Sequence, residues 1–245
     1  MLKTYLSLSY CFPIFIGFSV TLFHRSFAHT WLVEILDMMG LKGQYTVIPS
    51  PLDESALQNE LTESEHALPP PLYAMILAEH KAKALGLALL HKNEEIIRKL
   101  HEKIDDNLRG ECTTFVIGSD TIVDLEGSIL EKPVDEKDAR NMLSRLAGRW
   151  HKVHTGVSIY SSSNQYETPV SSFTETAQVK FADLTPTDID AYISTQEPMD
   201  KAGSYGIQGV GGQIVECIQG DFFAVMGLPM HRLSRELVSV MQTNV

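Results

Sequence analysis

A mixed-sheet α/β fold is predicted for this 245-residue chain by three observations. Short apolar runs and amphipathic stretches alternate along most of the length. One run, Phe115-Val116-Ile117, closes on Gly118-Ser119-Asp120, the pattern of a buried strand that delivers an aspartate at its carboxyl end. Helix signals then punctuate the second half. Asp135 stands before a periodic stretch that reaches Leu146 and ends at Gly148, and Thr185-Pro186 opens another.

The elements follow in order. Residues 31–43 mix apolar and polar positions up to Gly40, which predicts a short helix with a C-terminal glycine. Tyr45 to Ile48 reads as a strand, and the polar residues 50–70, with Pro69-Pro70-Pro71 at their end, read as a loop. Leu72 to Leu90 is periodic through Leu72, Met75, Ile76, Leu85 and Leu89, so a helix with these residues in the core is expected. Residues 91–111 are densely charged and read as helix and exposed loop, with the run Glu94 to Asp106 as a solvated face. Strand Phe115 to Val123 turns at Glu126-Gly127 and returns through Ile129-Leu130. Further strands are expected at His151–Tyr160, Ser171–Phe181 and Ile214–Ile218, with a closing amphipathic helix from Pro229 to Met241.

Composition narrows the function. The chain is 44% hydrophobic and 21% charged, enough for a buried core, and its formal net charge of -11 argues against a general nucleic-acid binder. Cys11, Cys112 and Cys217 lie far apart with no metal-ligand spacing, so a zinc site or disulfide framework is not expected, and the usage suits a reducing compartment. His151 and His154 fall on opposite faces of their strand, which argues against a shared metal. Residues 1–30 form an atypical apolar segment, uncharged from Thr4 to Phe23. It reads as a signal or anchor, as a buried strand, or as the product of an alternative first exon.

Several groups suit phosphate chemistry. Asp120, at a strand end, is placed where open α/β sheets bind ligands, although a turn aspartate bonded to its own backbone is the plainer alternative. Lys132 follows a strand in Glu131-Lys132-Pro133. Asp200 and Lys201 precede a stretch with five glycines between Gly203 and Gly212, where backbone can come close to a ligand.

Together these segments resemble the Maf family of nucleotide pyrophosphatases. The matching stretches are Gly118-Ser119-Asp120-Thr121-Ile122-Val123, Leu130-Glu131-Lys132-Pro133, Met142 to Gly148, His154-Thr155-Gly156-Val157, Glu197 to Gly203, Tyr205-Gly206-Ile207-Gln208-Gly209 and Val225-Met226-Gly227-Leu228-Pro229. They run in order over about residues 72 to 240, and are also similar to the Maf-like part of the acetylserotonin methyltransferase-like proteins of animals. The resemblance implies an elongated mixed sheet flanked by helices, with a central cleft, related to inosine triphosphate pyrophosphatases. The Maf-like domain would be residues 31–245. It implies hydrolysis of a nucleoside triphosphate to its monophosphate and pyrophosphate, a divalent cation (Mg2+ or Mn2+), a homodimer, no membrane, and a cytoplasmic location. By motif position, Asp120 is similar to the family's catalytic proton acceptor, and Glu54, with Asp120, to its metal-binding acids. Lys81 and Lys132 look like phosphate-contacting lysines, with Asp200 and Lys201 completing the charged cleft. Thr121 and Gln208 match the members that act on dTTP and UTP. A glutamine amide offers a donor and an acceptor together, matching the O4/N3–H edge of uracil or thymine.

One departure stands out. The family's Ser-x-Ser-Pro-Arg-Arg phosphate loop is expected at Phe27-Ala28-His29-Thr30-Trp31-Leu32, where both arginines are absent; His24 and Arg25 lie nearby but out of register. The loss of one partner of a buried charge pair costs about 2–5 kcal/mol. The alternative reading is therefore a catalytically impaired nucleotide-binding protein.

Overall fold

A computed structural model describes residues 14–18, 30–42, 44–63, 68–94 and 113–243. Among them one sheet runs through the molecule, built from β1 (Ile14–Phe18), β2 (Tyr45–Pro49), β3 (Phe115–Leu125), β4 (Ser128–Leu130), β5 (Trp150–Ser161), β6 (Pro169–Phe181) and β7 (Val215–Gln219). Its order is β2-β1-β3-β5-β6-β7, with β4 paired to β3. β1 is parallel to both β2 and β3, and every other pairing is antiparallel. The mixed α/β sheet is thus as the sequence predicts.

The helices are α1 (Thr30–Met38), α2 (Glu54–Glu63), α3 (Pro70–Leu90), α4 (Glu136–Leu146), α5 (Pro186–Ser194), α6 (Phe222–Met226) and α7 (Met230–Thr243). Local chemistry sets their starts. The Asp135 side chain accepts the Asp138 N–H at 2.7 Å, and Thr185 and Asp188 form a reciprocal capping box. Two helices were not legible in the sequence. Residues 50–70, expected as loop, contain α2, because Asp53 Oδ1 caps the Ala56 N–H at 3.0 Å and Leu57 is buried against the α3 side of the sheet. α6 is only five residues long and starts where Asp221 Oδ1 accepts the Phe223 N–H at 2.9 Å.

The buried stripe of α3 also differs from expectation. It is Tyr73, Ala74, Leu77, Ala78, Lys81, Ala82, Leu85 and Gly86, while Leu72 is exposed and Met75 and Ile76 are only partly covered. The helix is apolar on most sides, so periodicity of the large residues misidentified its inner face. Small residues occupy that face because α3 lies close on the sheet. A Cβ on Gly118 would meet the Ala78 carbonyl, and one on Gly156 would meet the Ala74 backbone.

Of the apolar N-terminal segment, residues 14–18 form β1, between β2 and β3. Residues 1–13 and 19–29, which include His24, Arg25 and the first half of the expected phosphate loop, lie outside the described residues; Thr30 to Leu32 open α1. Most of the charged run after Glu94 also lies outside them. No helix among the described residues is long and apolar enough to cross a membrane.

The face of the sheet away from α3 carries two apolar cores. One gathers Phe115, Ile117, Val157 and Ile159 under α1 and α7, and the other gathers Val123, Val153, Val179 and Phe181 under α4 and α5. Between them β3 and β5 present Ser119, Thr121 and Thr155, a polar belt across an otherwise apolar surface. At the same level, among the described residues, no strand pairs with β3 along one edge. β1 pairs as far as Gly118 and β4 begins at Val123, so a gap opens beside residues 119–122.

The close approach of α3 can be tested. Gly156→Ala is expected to destabilise the fold by about 1–3 kcal/mol through overpacking against Ala74. Urea unfolding measures this, and an unchanged midpoint would show that the helix does not sit on the sheet there.

Candidate active site

The gap beside β3 gathers charge from four segments. Asp120 points from β3 toward α3, where Lys81 Nζ lies 2.5 Å from its Oδ1. The same ammonium is 3.1 Å from Glu54 Oε1 at the start of α2, and Lys132 Nζ stands 3.9 Å from that oxygen. Lys81 is 4% exposed, Asp120 9% and Glu54 11%, whereas Lys132 is 46% exposed and free to follow a ligand. The structure therefore brings together Glu54, Lys81, Asp120 and Lys132, residues far apart in the chain. Ser50 helps fix the geometry: its hydroxyl donates to the Lys81 carbonyl at 2.9 Å.

Glu131 belongs to the same group, and its role was not legible in the sequence. It follows β4 beside the unpaired edge of β3, and its carboxylate interacts with the Tyr73 hydroxyl. Burial, then the charges of Asp120 and Glu54, push its carboxyl up to about 7, with the Tyr73 bond and Lys81 opposing. The only signal in the sequence was an acid beside Lys132 at a strand end, which a surface ion pair would also give. Lys81 behaves in the opposite sense. Burial alone would lower its pKa, but Asp120 and Glu54 outweigh burial and hold it above the ordinary lysine range. Asp120 is raised by burial, with Lys81 opposing and Glu54 adding to the rise.

Within this cluster two buried carboxylate oxygens have no hydrogen-bond partner among the described residues: Asp120 Oδ2 and Glu131 Oε1. Orphaned buried acceptors are costly and call for a bound proton donor or a cation. No three Asp, Glu, His or Cys groups among the described residues form a ready-made metal cage. Hard carboxylate oxygens of this kind suit a divalent cation whose shell is completed by water and phosphate.

Asp200 and Lys201 are placed elsewhere. Lys201 Nζ binds Asp200 Oδ1 at 2.6 Å and the Glu197 carbonyl at 3.0 Å, with no contact to the Lys81 cluster among the described residues. Their neighbour is the glycine-rich loop, since a Cβ on Gly206 would meet the Lys201 side chain. Glu197 orders that loop: its carboxylate accepts from the N–H groups of Val210 and Gly211 at 2.8 and 2.9 Å and from the Tyr192 hydroxyl at 2.9 Å. Within the loop, Gln208 Nε2 donates to the Met226 carbonyl of α6 at 3.4 Å.

Thr121 lies on the opposite side of β3 from Asp120, half-buried in the polar belt. Both belong to the stretch of β3 that neither β1 nor β4 pairs with. The histidines take no part. His151 bonds the Tyr205 hydroxyl at 2.8 Å, and His154 lies between Thr176 and Asp124 on the other face, as their spacing predicts.

The pattern has known counterparts. Residues 33–240 match the family model described as Maf-like protein. This chain belongs to the Maf-like family. Its Maf-like relatives include a human protein named probable bifunctional dTTP/UTP pyrophosphatase/methyltransferase, 41% identical over 84% of this chain and 30% of its own length. A dTTP/UTP pyrophosphatase of Aquifex aeolicus (strain VF5) is 36% identical over 83% of this chain and 89% of its own length. Another so named, from Bacillus cereus (strain AH187), is 50% identical over 50% of this chain and 62% of its own length. The chain thus spans less than two thirds of the human and Bacillus relatives and most of the Aquifex one.

The aromatic packing of His151 against Phe181 and Tyr205 anchors the start of the Maf-like glycine loop and carries a pH signature. Burial pushes the imidazole from 6.5 down to about 4. The folded state therefore binds fewer protons than the unfolded state between those values, and the contribution, complete above pH 6.5, is lost as pH falls toward 4. Relative to His151→Gln, the wild type is expected to lose about 3 kcal/mol over this window. Denaturant midpoints at pH 7, 5.5 and 4 would reveal it, and parallel pH curves would refute it.

Proposed function

We propose that this protein hydrolyses dTTP and UTP between the α and β phosphorus atoms, giving the nucleoside monophosphate and pyrophosphate. The single observation that carries the reading is the convergence of Glu54, Lys81, Asp120, Glu131 and Lys132 at one edge gap. The names of the Maf-like relatives support the same activity.

Each residue has a task set by its surroundings. Lys81 occupies Asp120 Oδ1 and so fixes the carboxylate, leaving Oδ2 turned to the gap. Oδ2 takes the proton of the attacking water, whose oxygen bonds the α-phosphorus as the bond to the bridging oxygen breaks. Lys132, the exposed lysine, contacts the phosphate chain and neutralises charge on the departing pyrophosphate. Lys201 approaches the nucleotide from the glycine-loop side. Thr121 and Gln208 read the pyrimidine from the polar belt.

The donor set fits a magnesium or manganese ion. Glu54, Asp120 and Glu131 are hard oxygen donors, and two of their oxygens lack partners among the described residues. A carboxylate oxygen has two lone pairs, so Asp120 Oδ2 can face a cation and a water together. When bound, the cation would neutralise phosphate oxygens and polarise the scissile bond.

The alternative of a catalytically impaired nucleotide binder is not favoured. The catalytic acids and lysines are assembled without the two arginines, and the similar proteins are named as pyrophosphatases. The deciding experiment offers the common triphosphates with Mg2+ or Mn2+ and follows pyrophosphate release. Turnover of dTTP and UTP is expected, activity confined to purines would defeat the specificity, and no turnover would restore the binder reading. Asp120→Asn should lower kcat by at least a thousandfold, on the order of a lost general base with its orienting charge. Nucleotide binding, followed by calorimetry, should persist; unchanged turnover would remove Asp120 from the mechanism. For Glu131, Mn2+ binding by electron paramagnetic resonance should weaken about tenfold in Glu131→Gln. An unaltered Mn2+ titration would exclude it as a ligand.

A further inference from the structure

We propose that Thr155 makes the site selective for uracil and thymine over cytosine by forcing the Thr121 hydroxyl to act only as a hydrogen-bond acceptor. The proposal rests on the reading above, in which Thr121 faces the base, and extends it to a residue that never touches substrate.

The argument is a count of protons. Thr155, fully buried in the polar belt, donates through Oγ1 to the Ala224 carbonyl of α6 at 2.7 Å. A carbonyl cannot donate, so the one hydroxyl proton of Thr155 is spent there. Thr155 Oγ1 also lies 2.8 Å from Thr121 Oγ1. With its own proton committed, Thr155 can only accept in that contact, and Thr121 must donate. Thr121 then has no proton left for a ligand, and since it is only half-buried its hydroxyl oxygen keeps a lone pair with which to accept.

The bases differ at the atom such an acceptor would meet. Uracil and thymine carry a hydrogen on N3 and can donate to Thr121. Cytosine has a bare N3 lone pair, so two acceptors would oppose each other. The direction of one hydrogen bond, imposed from beneath by a helix carbonyl, therefore discriminates bases of nearly the same shape. The neighbourhood holds the arrangement rigid. Three carbonyls at the α6 turn, those of Ala224, Met226 and Gly227, receive Thr155, Gln208 and Ser119, the last at 2.8 Å. The backbone of α6 thus orients the belt, and Thr155 is a positioning residue.

The test uses the full chain and compares kcat/KM for UTP and CTP in the wild type, Thr155→Val and Thr155→Ser. Valine keeps the shape but frees the Thr121 proton, which can then be donated to cytosine N3. The UTP:CTP ratio is expected to fall about tenfold or more in Thr155→Val, the size of one misdirected hydrogen bond, chiefly through KM. Thr155→Ser, which restores the hydroxyl, should keep the wild-type ratio. A merely structural role would lower both substrates together and leave the ratio unchanged, and that result overturns the proposal. Should Thr155→Val not fold, Thr155→Cys, whose thiol is a much weaker donor of similar size, takes its place: a fallen UTP:CTP ratio supports the proposal, and an unmoved ratio overturns it. Wild-type preference for purines would bring down the proposed function together with this inference. A wild type that prefers UTP, with an unmoved ratio in the valine variant, would bring down the inference alone.

Discussion

The organisation of this protein depends on one buried ammonium group. Lys81 sits on the inner face of α3, 2.5 Å from Asp120 and 3.1 Å from Glu54. An isolated charge at that depth would be prohibitively costly, so the lysine holds its charge only because two carboxylates meet it. The requirement is mutual. Asp120 and Glu54 approach each other only because Lys81 lies between them, and Glu131, without so close a cation, has its carboxyl raised to about 7. Removal of the lysine would leave three acids crowded in one gap.

That ion cluster is possible because of how closely α3 lies on the sheet. Gly118 and Gly156 on the strands and Ala74, Ala78 and Ala82 on the helix remove the bulk that would hold them apart. The chemistry therefore depends on residues that have no chemistry of their own. On the far side of β3 the constraint is of another kind. Two apolar cores leave a polar strip between them, and the carbonyls of a five-residue helix satisfy its hydroxyl groups. Alternate side chains of β3 point in opposite directions, so in the function proposed Asp120 and Thr121 serve one nucleotide from neighbouring positions of a single strand.

Much of the fold was legible because local rules decided it. β5, β6, α4 and α5 lie close to where alternation and capping predict them, and Asp135 and Thr185 cap as their types require. The failures are instructive. α2 has only Leu57 fully buried and a polar composition, so its helical identity comes from its cap and from packing near Leu68, not from a strong apolar stripe. The inner face of α3 was misread because alanine and glycine, which carry little hydrophobic signal, mark the contact. In the site, Asp120 stood out behind an apolar run, but it lies in the middle of β3 rather than at the strand end expected, because the ladder with β5 continues to Asp124. Glu131 did not stand out, since an acid beside a lysine looks the same on a surface as in a cleft.

The sequence by itself determined most of the strands and helices and a set of motifs specific enough to indicate the family. Those properties reside in short segments, where composition and spacing act over a few residues. Only the tertiary structure decided which charges share a site. It drew Glu54, Lys81, Asp120, Glu131 and Lys132 into one gap, left Asp200 and Lys201 beside the glycine loop, and set the direction of the bond between Thr121 and Thr155. The reason is physical: pKa values and proton positions depend on burial and on neighbours at hydrogen-bond distance, and those neighbours come from segments up to 108 residues apart.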